Sequence, residues 1–415
     1  MTKAEVEYLE GWHGWETDKV FPFRWVSCRG RLGLPRSDVR RNRFLVFPVF
    51  SEFADRSQVL TVRRAGRILA ELPLLYQWSN YSVDLGDRTP ASSDDGRLWE
   101  VEFVVNKPFP ARYHPGDGRE LAVRVGPLSF HADPERHADF RFFLDNAVLN
   151  DKEMREGRTA LTSFPLNLGI DLYGKCNIKP PCVYCLWDRM KVLEGPYTDA
   201  VVDDRTLEGY GPFFRAARSL VNCSFGEPLL HPRFQEILEL CDRRDKFVEI
   251  STNGQAFTPR TIRALAGKHV SLYISLDAAT PETYAKVRND KWPGIVPNLK
   301  RLAEARRKAG DLPKIFMVFM PMRVNLGDME AYFKLCRDIE ADSLVLRPLV
   351  YLWRPGIEKD RGGYHFSYES ELLKPEDLEV VFARADEYSR RYGVPVANQF
   401  NFGALNPPGG ERQGS

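Results

Sequence analysis

Three cysteines, Cys176, Cys182 and Cys185, fall within ten residues of a 415-residue chain that holds seven. Thiols this closely spaced in a reducing compartment hold a metal more often than they serve packing. The stretch Cys176-Asn-Ile-Lys-Pro-Pro-Cys182-Val-Tyr-Cys185 is polar and proline-rich, a poor setting for three core thiols. A structural zinc site needs a fourth ligand, usually from a second close pair of Cys or His. None follows: the next cysteine is Cys223, inside an expected strand. Three thiolates on one loop can instead hold three irons of a [4Fe–4S] cluster and leave the fourth iron open to a small chelating cofactor. Zinc and chance packing are the alternatives.

A scaffold has to present these thiols. After Thr162, buried-looking strands alternate with helical patterns, at Leu166 to Asp171, Ser219 to Ser224, Phe247 to Ser251, Val270 to Leu276, Lys314 to Met320 and Ser343 to Val350. Proline signals at His231-Pro232, Thr258-Pro259 and Thr280-Pro281 open helices, where a missing N–H costs nothing. Phe234, Ile237, Leu238 and Cys241 recur as an i, i+3, i+4, i+7 stripe. Six strand–helix units in series predict an α/β domain with a parallel sheet, curled as a barrel or doubly wound. A last helix from Pro375 to Arg391 and a strand from Val394 to Ala397 precede a Gly/Pro-rich tail.

The first 150 residues have another texture. Short β-type runs occur at Phe23 to Val26, Phe44 to Phe50, Val59 to Val62, Ile68 to Leu75, Tyr81 to Leu85, Leu98 to Val105 and Leu121 to Val125. Turn signals such as Arg64-Ala65-Gly66 and Asp94-Asp95-Gly96 separate them, which predicts an antiparallel sandwich or barrel. Asp133 to Arg158 reads as a linking helix. The expected division is an all-β sandwich-like domain over 1–135, a linker over 136–161, the α/β barrel over 162–355, a helix-and-strand extension over 356–402 and a tail over 403–415.

The barrel region carries ordered motifs at its strand ends. Strand two is followed by Gly226-Glu227-Pro228, strand three ends Ser251-Thr252-Asn253-Gly254, and strand four gives Ser275-Leu-Asp277, then Thr280-Pro-Glu-Thr-Tyr284 and Val287-Arg288. With the cysteine loop and Tyr184 before its last cysteine, this order resembles the radical S-adenosylmethionine (SAM) superfamily over about residues 162 to 400. One feature departs from the pattern: five residues separate the first two cysteines where the family usually has three. That wider spacing is similar to a minority of the superfamily, including a cofactor-maturation group. Pro180-Pro181 would stiffen the longer loop.

The resemblance implies a partial (βα)6 barrel, a [4Fe–4S] cluster on Cys176, Cys182 and Cys185, and SAM, whose amino and carboxylate groups fill the open iron. It implies that Glu227, with the backbone around Gly226 and Pro228, receives the methionine ammonium. Ser251, Asn253, Ser275 and Asp277 become candidates for the ribose hydroxyls and carboxylate, and Tyr184 for the adenine. Arg347, near the end of strand six, would pair with the SAM carboxylate or a substrate anion. One electron, from a donor such as flavodoxin or ferredoxin, would split the sulfonium C–S bond. The resulting 5′-deoxyadenosyl radical would take hydrogen from an unactivated carbon.

Other tempting residues have plainer readings. Cys241 lies on the apolar stripe, and Cys336 on another with Met329, Tyr332, Phe333 and Ile339; both belong to core. Cys223, three residues before Gly226, is a candidate hydrogen donor to a substrate radical, with buried packing the favoured reading. Cys28 reads as structural. The basic run Arg29, Arg31, Arg36, Arg40, Arg41 and Arg43 could bind phosphate, but a solvated loop is the plainer expectation. Trp12, Trp15, Trp25, Trp78 and Trp99 read as core more than as a sugar platform.

The N-terminal order Gly11-Trp-His-Gly-Trp-Glu, Phe23-Arg-Trp, Arg31-Leu-Gly-Leu-Pro and Gly118-Arg-Glu-Leu-Ala-Val-Arg-Val resembles β-domains of glycan-synthesis loci. That resemblance implies a carbohydrate-like small molecule or glycan conjugate and epimerisation, dehydrogenation or dehydration at a carbinol carbon. Lys374 to Phe402 is similar to the segment that precedes an auxiliary-cluster domain in peptide-maturing relatives, yet no cysteine follows Cys336. Maturation of a ribosomal peptide or of a cofactor is the alternative, and a non-catalytic glycan-binding protein with a degenerate barrel is a third. A formal charge of +2 from 59 basic and 57 acidic residues provides no footprint for nucleic acid. No apolar run approaches the roughly 18 residues of a membrane span. The N-terminus lacks a secretory pattern, so a cytoplasmic protein is expected.

Overall fold

The computed structural model describes residues 6–17, 22–86, 98–186, 201–222, 226–243, 246–349 and 358–400. Two units emerge: Met1–Leu166 with Pro212–Arg218 and Arg243–Asp245, and Asn167–Gly211 with Ser219–Asp242 and Lys246–Ser415. The strand Leu98–Val105 shows how the first is built. Trp99, Val101, Phe103 and Val105 are buried while Glu100 and Glu102 face outward, the period of two of a half-buried strand. It lies in a five-stranded antiparallel sheet in the order Glu7–Tyr8, Arg29–Pro35, Leu98–Val105, Val59–Arg64, Arg67–Pro73. A second antiparallel sheet runs Ser129–His131, Phe44–Phe50, Val123–Val125, Pro22–Val26, Trp12–Thr17, with Ser79–Asp84 also paired to Phe44–Phe50. Leu32, Leu60 and Phe103 of the first sheet share a core with Leu45, Phe47 and Tyr81 of the second.

Two expectations change here. The basic run is no solvated loop: Arg29–Pro35 is a strand and Arg36–Arg41 a short helix. Its arginines alternate with Gly30 and Leu32, which are buried, and Arg31 pairs with Glu100 at 2.6 Å on the outer face. The outward charges hid the strand. Among the tryptophans, Trp25, Trp78 and Trp99 are buried as expected, whereas Trp15 is exposed. Helix Pro134–Arg155 starts where the sequence places it. The Asp133 carboxylate accepts from the Glu135 and Arg136 amides, and Phe143 and Ala147 pack with Leu75 and Leu166.

In the second unit, seven parallel strands stand in chain order: Asn167–Gly169, Ser219–Asn222, Phe247–Thr252, Val270–Ser275, Lys314–Phe319, Ser343–Leu346 and Val396–Asn398. Six occupy the expected positions. The seventh comes from the C-terminal segment and extends the sheet beside strand six. The sheet is an α/β, barrel-like fold left open between its first and last strands. Helices connect the strands: Thr258 and Thr280 cap Pro259–Leu265 and Pro281–Val287 by accepting from amides three residues on. Cys241 and Cys336 are buried on the helices Phe234–Arg243 and Met329–Asp338, as expected for core. Among the described residues no helix is long and apolar enough to cross a membrane.

Along the central strands Val248, Ile250, Leu272 and Ile274 are buried, while Glu249, Ser251, Ser271, Tyr273 and Ser275 between them are partly or well exposed. Pairing sets Ser251 beside Tyr273 and Phe316, and Ser275 beside Val318, Val345 and Ala397. Phe316, Val318 and Val345 cluster with Tyr273 and Ala397, so this face is the lumen.

Candidate active site

The cysteine loop leaves the first barrel strand, and all three thiols are free of disulfides. The Cys185 amide donates to the Cys182 carbonyl at 3.1 Å, a turn that draws the last two cysteines together. The Cys176 sulfur accepts from the Ile178 amide at 3.5 Å and from Asn253 Nδ2 at 3.6 Å. Asn253 Nδ2 also donates to Asn177 Oδ1 at 2.9 Å, which fastens the loop to the end of strand three. Burial pushes the Cys182 thiol up to about 12, with the nearby Arg288 charge opposing. A metal would displace that proton. Among the described residues no three His, Cys, Asp or Glu side chains gather around one ion; cluster thiolates ligate separate irons. Three soft donors on one loop, with N–H groups aimed at a sulfur, fit an iron–sulfur cluster.

The loop is braced from far along the chain. A hairpin formed by Glu358–Arg361 and Tyr364–Ser367 sends Lys359 Nζ to the Cys182 carbonyl at 3.3 Å. Arg361 donates to the carbonyls of Pro181 and Arg288, and Tyr368 Oη donates to the Tyr184 carbonyl at 3.0 Å.

Gly226-Glu227-Pro228 sits against the loop's start. A Cβ at Gly226 would stand 2.2 Å from the Tyr173 carbonyl oxygen and 2.4 Å from that of Lys175, so only glycine allows the approach. The Glu227 amide donates to the Lys175 carbonyl at 2.8 Å. The Glu227 side chain, expected to receive the SAM ammonium, is fully buried. It accepts from Thr252 Oγ1 at 2.8 Å, the Asn253 amide at 2.8 Å and the Leu229 amide at 3.3 Å. Its carboxylate therefore joins strand ends two and three. Pro228 opens a buried single turn, Pro228–Leu230.

Burial raises the Glu227 carboxyl from its ordinary 4.5 to about 7, against three donors that favour its charge. Between those values the folded protein holds a proton that the unfolded chain has released. Stability of the cluster-free chain should therefore fall as pH rises from 4.5 to about 7 and then level off, by on the order of 3 kcal/mol. Urea unfolding should show that slope in the wild type and a flatter one in Glu227→Gln; equal slopes would refute the assignment.

Asp277 and Tyr184 share a buried network. Asp277 is 2% exposed and adopts φ 57°, a conformation aspartate tolerates better than most residues. Its Oδ2 accepts from Tyr184 Oη at 2.6 Å and Arg288 Nη2 at 2.7 Å, and its Oδ1 from the Met320 amide at 2.9 Å. Asn325 Nδ2 binds the Asp277 carbonyl at 2.9 Å. The Asp277 carboxylate thus holds an internal network together, and the Tyr184 hydroxyl ties the cysteine loop to strand four. Burial and the neighbouring Asp277 hold that phenol well above its usual range.

Ser251 and Ser275 lie on the lumen face. Arg347 stands apart, across the sheet on strand six: its Nε donates to Gln399 Oε1 at 3.0 Å, and its guanidinium lies 6.0 Å from the Tyr273 ring centroid. Cys223 lies outside the described residues. Arg288, Thr252, Asn325, Gln399, Lys359 and Arg361 were not assigned roles from the sequence. Arg288 and Thr252 carried a signal, as members of the Val287-Arg288 and Ser251-Thr252-Asn253-Gly254 motifs.

An open parallel barrel with a three-cysteine loop after its first strand defines a class, and comparison agrees. Residues 170–336 match the family described as the radical SAM superfamily. Those residues are a radical SAM domain, of an enzyme family whose cofactors are a [4Fe–4S] cluster and SAM. The chain is 24% identical over 225 residues to a probable GTP 3′,8-cyclase of Methanocaldococcus jannaschii, covering 52% of this chain and 68% of that protein. It is 32% identical over 129 residues to the mycofactocin maturase MftC of Mycobacterium tuberculosis, spanning 30% of each. The crystal structure of SuiB from Streptococcus suis bound to S-adenosylmethionine aligns over 65% of this chain and 57% of its own, at 16% identity and a TM-score of 0.42.

Proposed function

We infer that this enzyme abstracts hydrogen from a carbohydrate-like substrate held in the barrel lumen, in the cytoplasm, with flavodoxin or ferredoxin as electron donor. Cys176, Cys182 and Cys185 would hold the cluster, which with bound SAM supplies one-electron C–S cleavage and a 5′-deoxyadenosyl radical. The chain's own residues do the rest. Asn253 and the Ile178 amide orient the Cys176 sulfur. Glu227 and Gly226 hold the ends of strands two and three against the loop, leaving backbone carbonyls near Gly226 to meet the SAM ammonium. The observation that carries the substrate reading is the lumen wall, where Glu249, Ser251, Ser271 and Ser275 offer oxygens to hydroxyl groups beside an aromatic and aliphatic patch.

A second reading, modification of a peptide, draws support from the 32% identity to the mycofactocin maturase. Both are tested by anaerobic reconstitution with iron and sulfide, then reductant, SAM and deuterated candidates. Deuterium should pass from a sugar into 5′-deoxyadenosine. Label arriving only from a co-encoded peptide would reject the carbohydrate reading. No 5′-deoxyadenosine, and a three-cysteine-to-alanine variant that behaves identically, would favour a degenerate barrel. Cys223 remains a candidate hydrogen donor, and unchanged product from Cys223→Ala would remove it.

A further inference from the structure

We propose that the lumen is built for an anionic sugar, a sugar carboxylate or sugar phosphate, whose charge is bound by Arg347 above the Tyr273–Phe316 ring pair. This rests on the carbohydrate reading and narrows it. Arg347 ends strand six on the lumen face, two residues beyond Val345. Its side chain turns inward over Tyr273 instead of toward solvent. Among the described residues only its Nε is bonded, to Gln399 Oε1, and no carboxylate pairs with it. Its remaining N–H donors form a planar fork suited to bidentate capture of a carboxylate or phosphate, and the Gln399 bond fixes the direction of that fork.

Beneath it, Tyr273 and Phe316 stack with ring centroids 5.0 Å apart and planes at 18°, and Val318 and Val345 continue the apolar surface. Such a platform suits the C–H face of a pyranose. Across the lumen lies Glu249, exposed although it sits in the middle of a central strand and paired in register with Ser271. It makes no ion pair among the described residues. Burial holds the Tyr273 phenol above its usual range, with Glu249 adding to that shift and Arg347 opposing it, so two opposite charges act on one ring. The field between them gives a substrate a direction: anion at Arg347, hydroxyl donors at Glu249 and Ser271. A second anion near Glu249 would be repelled.

The alternative for Arg347, the SAM carboxylate, suits the topology less well. The cysteine loop, Asn253 and Asp277 belong to strands one, three and four, whereas Arg347 and Gln399 belong to strand six and the chain after strand seven.

The reconstituted full chain should be titrated calorimetrically with glucuronate, glucose 6-phosphate and glucose, and separately with SAM. At least one anionic sugar should bind about tenfold more tightly than glucose. Arg347→Ala should weaken that anion by about thirtyfold and leave glucose within about threefold. Arg347→Lys should recover part of the affinity, and more for phosphate, which needs less of the planar fork. The two acids distinguish a carboxylate from a phosphate source. Equal binding of glucose and both acids, or no binding of either acid, would overturn the proposal. So would an Arg347→Ala variant of native iron content that loses SAM affinity but keeps the anion. Deuterium transfer from a neutral sugar, indifferent to Arg347, would leave the carbohydrate reading standing and remove this one.

Discussion

Gly226→Ala should yield a folded chain that retains little iron. The added methyl would meet the backbone of Tyr173, Gly174 and Lys175 at 2.2 to 2.6 Å, and no side-chain rotation relieves a clash with main chain. Either strand end two withdraws and breaks the Glu227 amide bond to Lys175, or the segment leading into Cys176 moves. Overpacking of this kind costs about 1–3 kcal/mol and sometimes more, a loss the scaffold can survive. The ligand geometry is less tolerant. Iron and sulfide per chain after reconstitution should fall by about an order of magnitude, while far-ultraviolet circular dichroism stays native. Wild-type iron content would show that the loop accommodates the methyl and that the close approach has no bearing on the cluster.

Asp277→Asn should destabilise the chain by about 3–5 kcal/mol, the usual cost of removing one partner of a buried ion pair. Asp277 and Arg288 lie 2.7 Å apart with side chains 2% and 5% exposed, so the remaining guanidinium has no water to turn to. Asparagine keeps the shape and tolerates the left-handed backbone at this position, which isolates the charge. Urea unfolding of the cluster-free chain measures the loss. Arg288→Met alone strands the carboxylate and should cost a similar amount. The double variant should cost much less than the sum, because it leaves no buried charge unpaired. Additive losses would mean that the two side chains do not act as a pair.

The two large effects fall on residues whose types were readable and whose partners were not. Cysteine ligands from one loop announce themselves by spacing, and the strand-end motifs follow because each sits at a fixed point of a repeating βα unit. Their polar side chains look, in sequence, equally available to a ligand. Glu227 and Asp277 are bonded to Thr252, Asn253, Arg288 and Met320, because the sheet brings together strand ends that lie far apart along the chain. Burial decides such roles, and burial depends on neighbours in space. The Arg29–Pro35 strand escaped notice for a related reason: its arginines face outward while the alternating Gly30 and Leu32 supply too faint an apolar signal. The segment Glu358–Ser367 offers only alternating charge, yet it supplies Lys359 and Arg361 to the cysteine loop.

That bracing hairpin has a consequence for biogenesis. The three thiols leave the ribosome about 180 residues ahead of Lys359, Arg361 and Tyr368. Until those residues arrive, the cysteine loop lacks the donors to Pro181, Cys182 and Tyr184 that hold it in place. Metal loading on a nascent or truncated chain would meet a looser loop than loading on the finished protein. Order of synthesis therefore sets when the nest for the cluster closes, and a chain stopped short of Glu358 would carry every ligand without the latch.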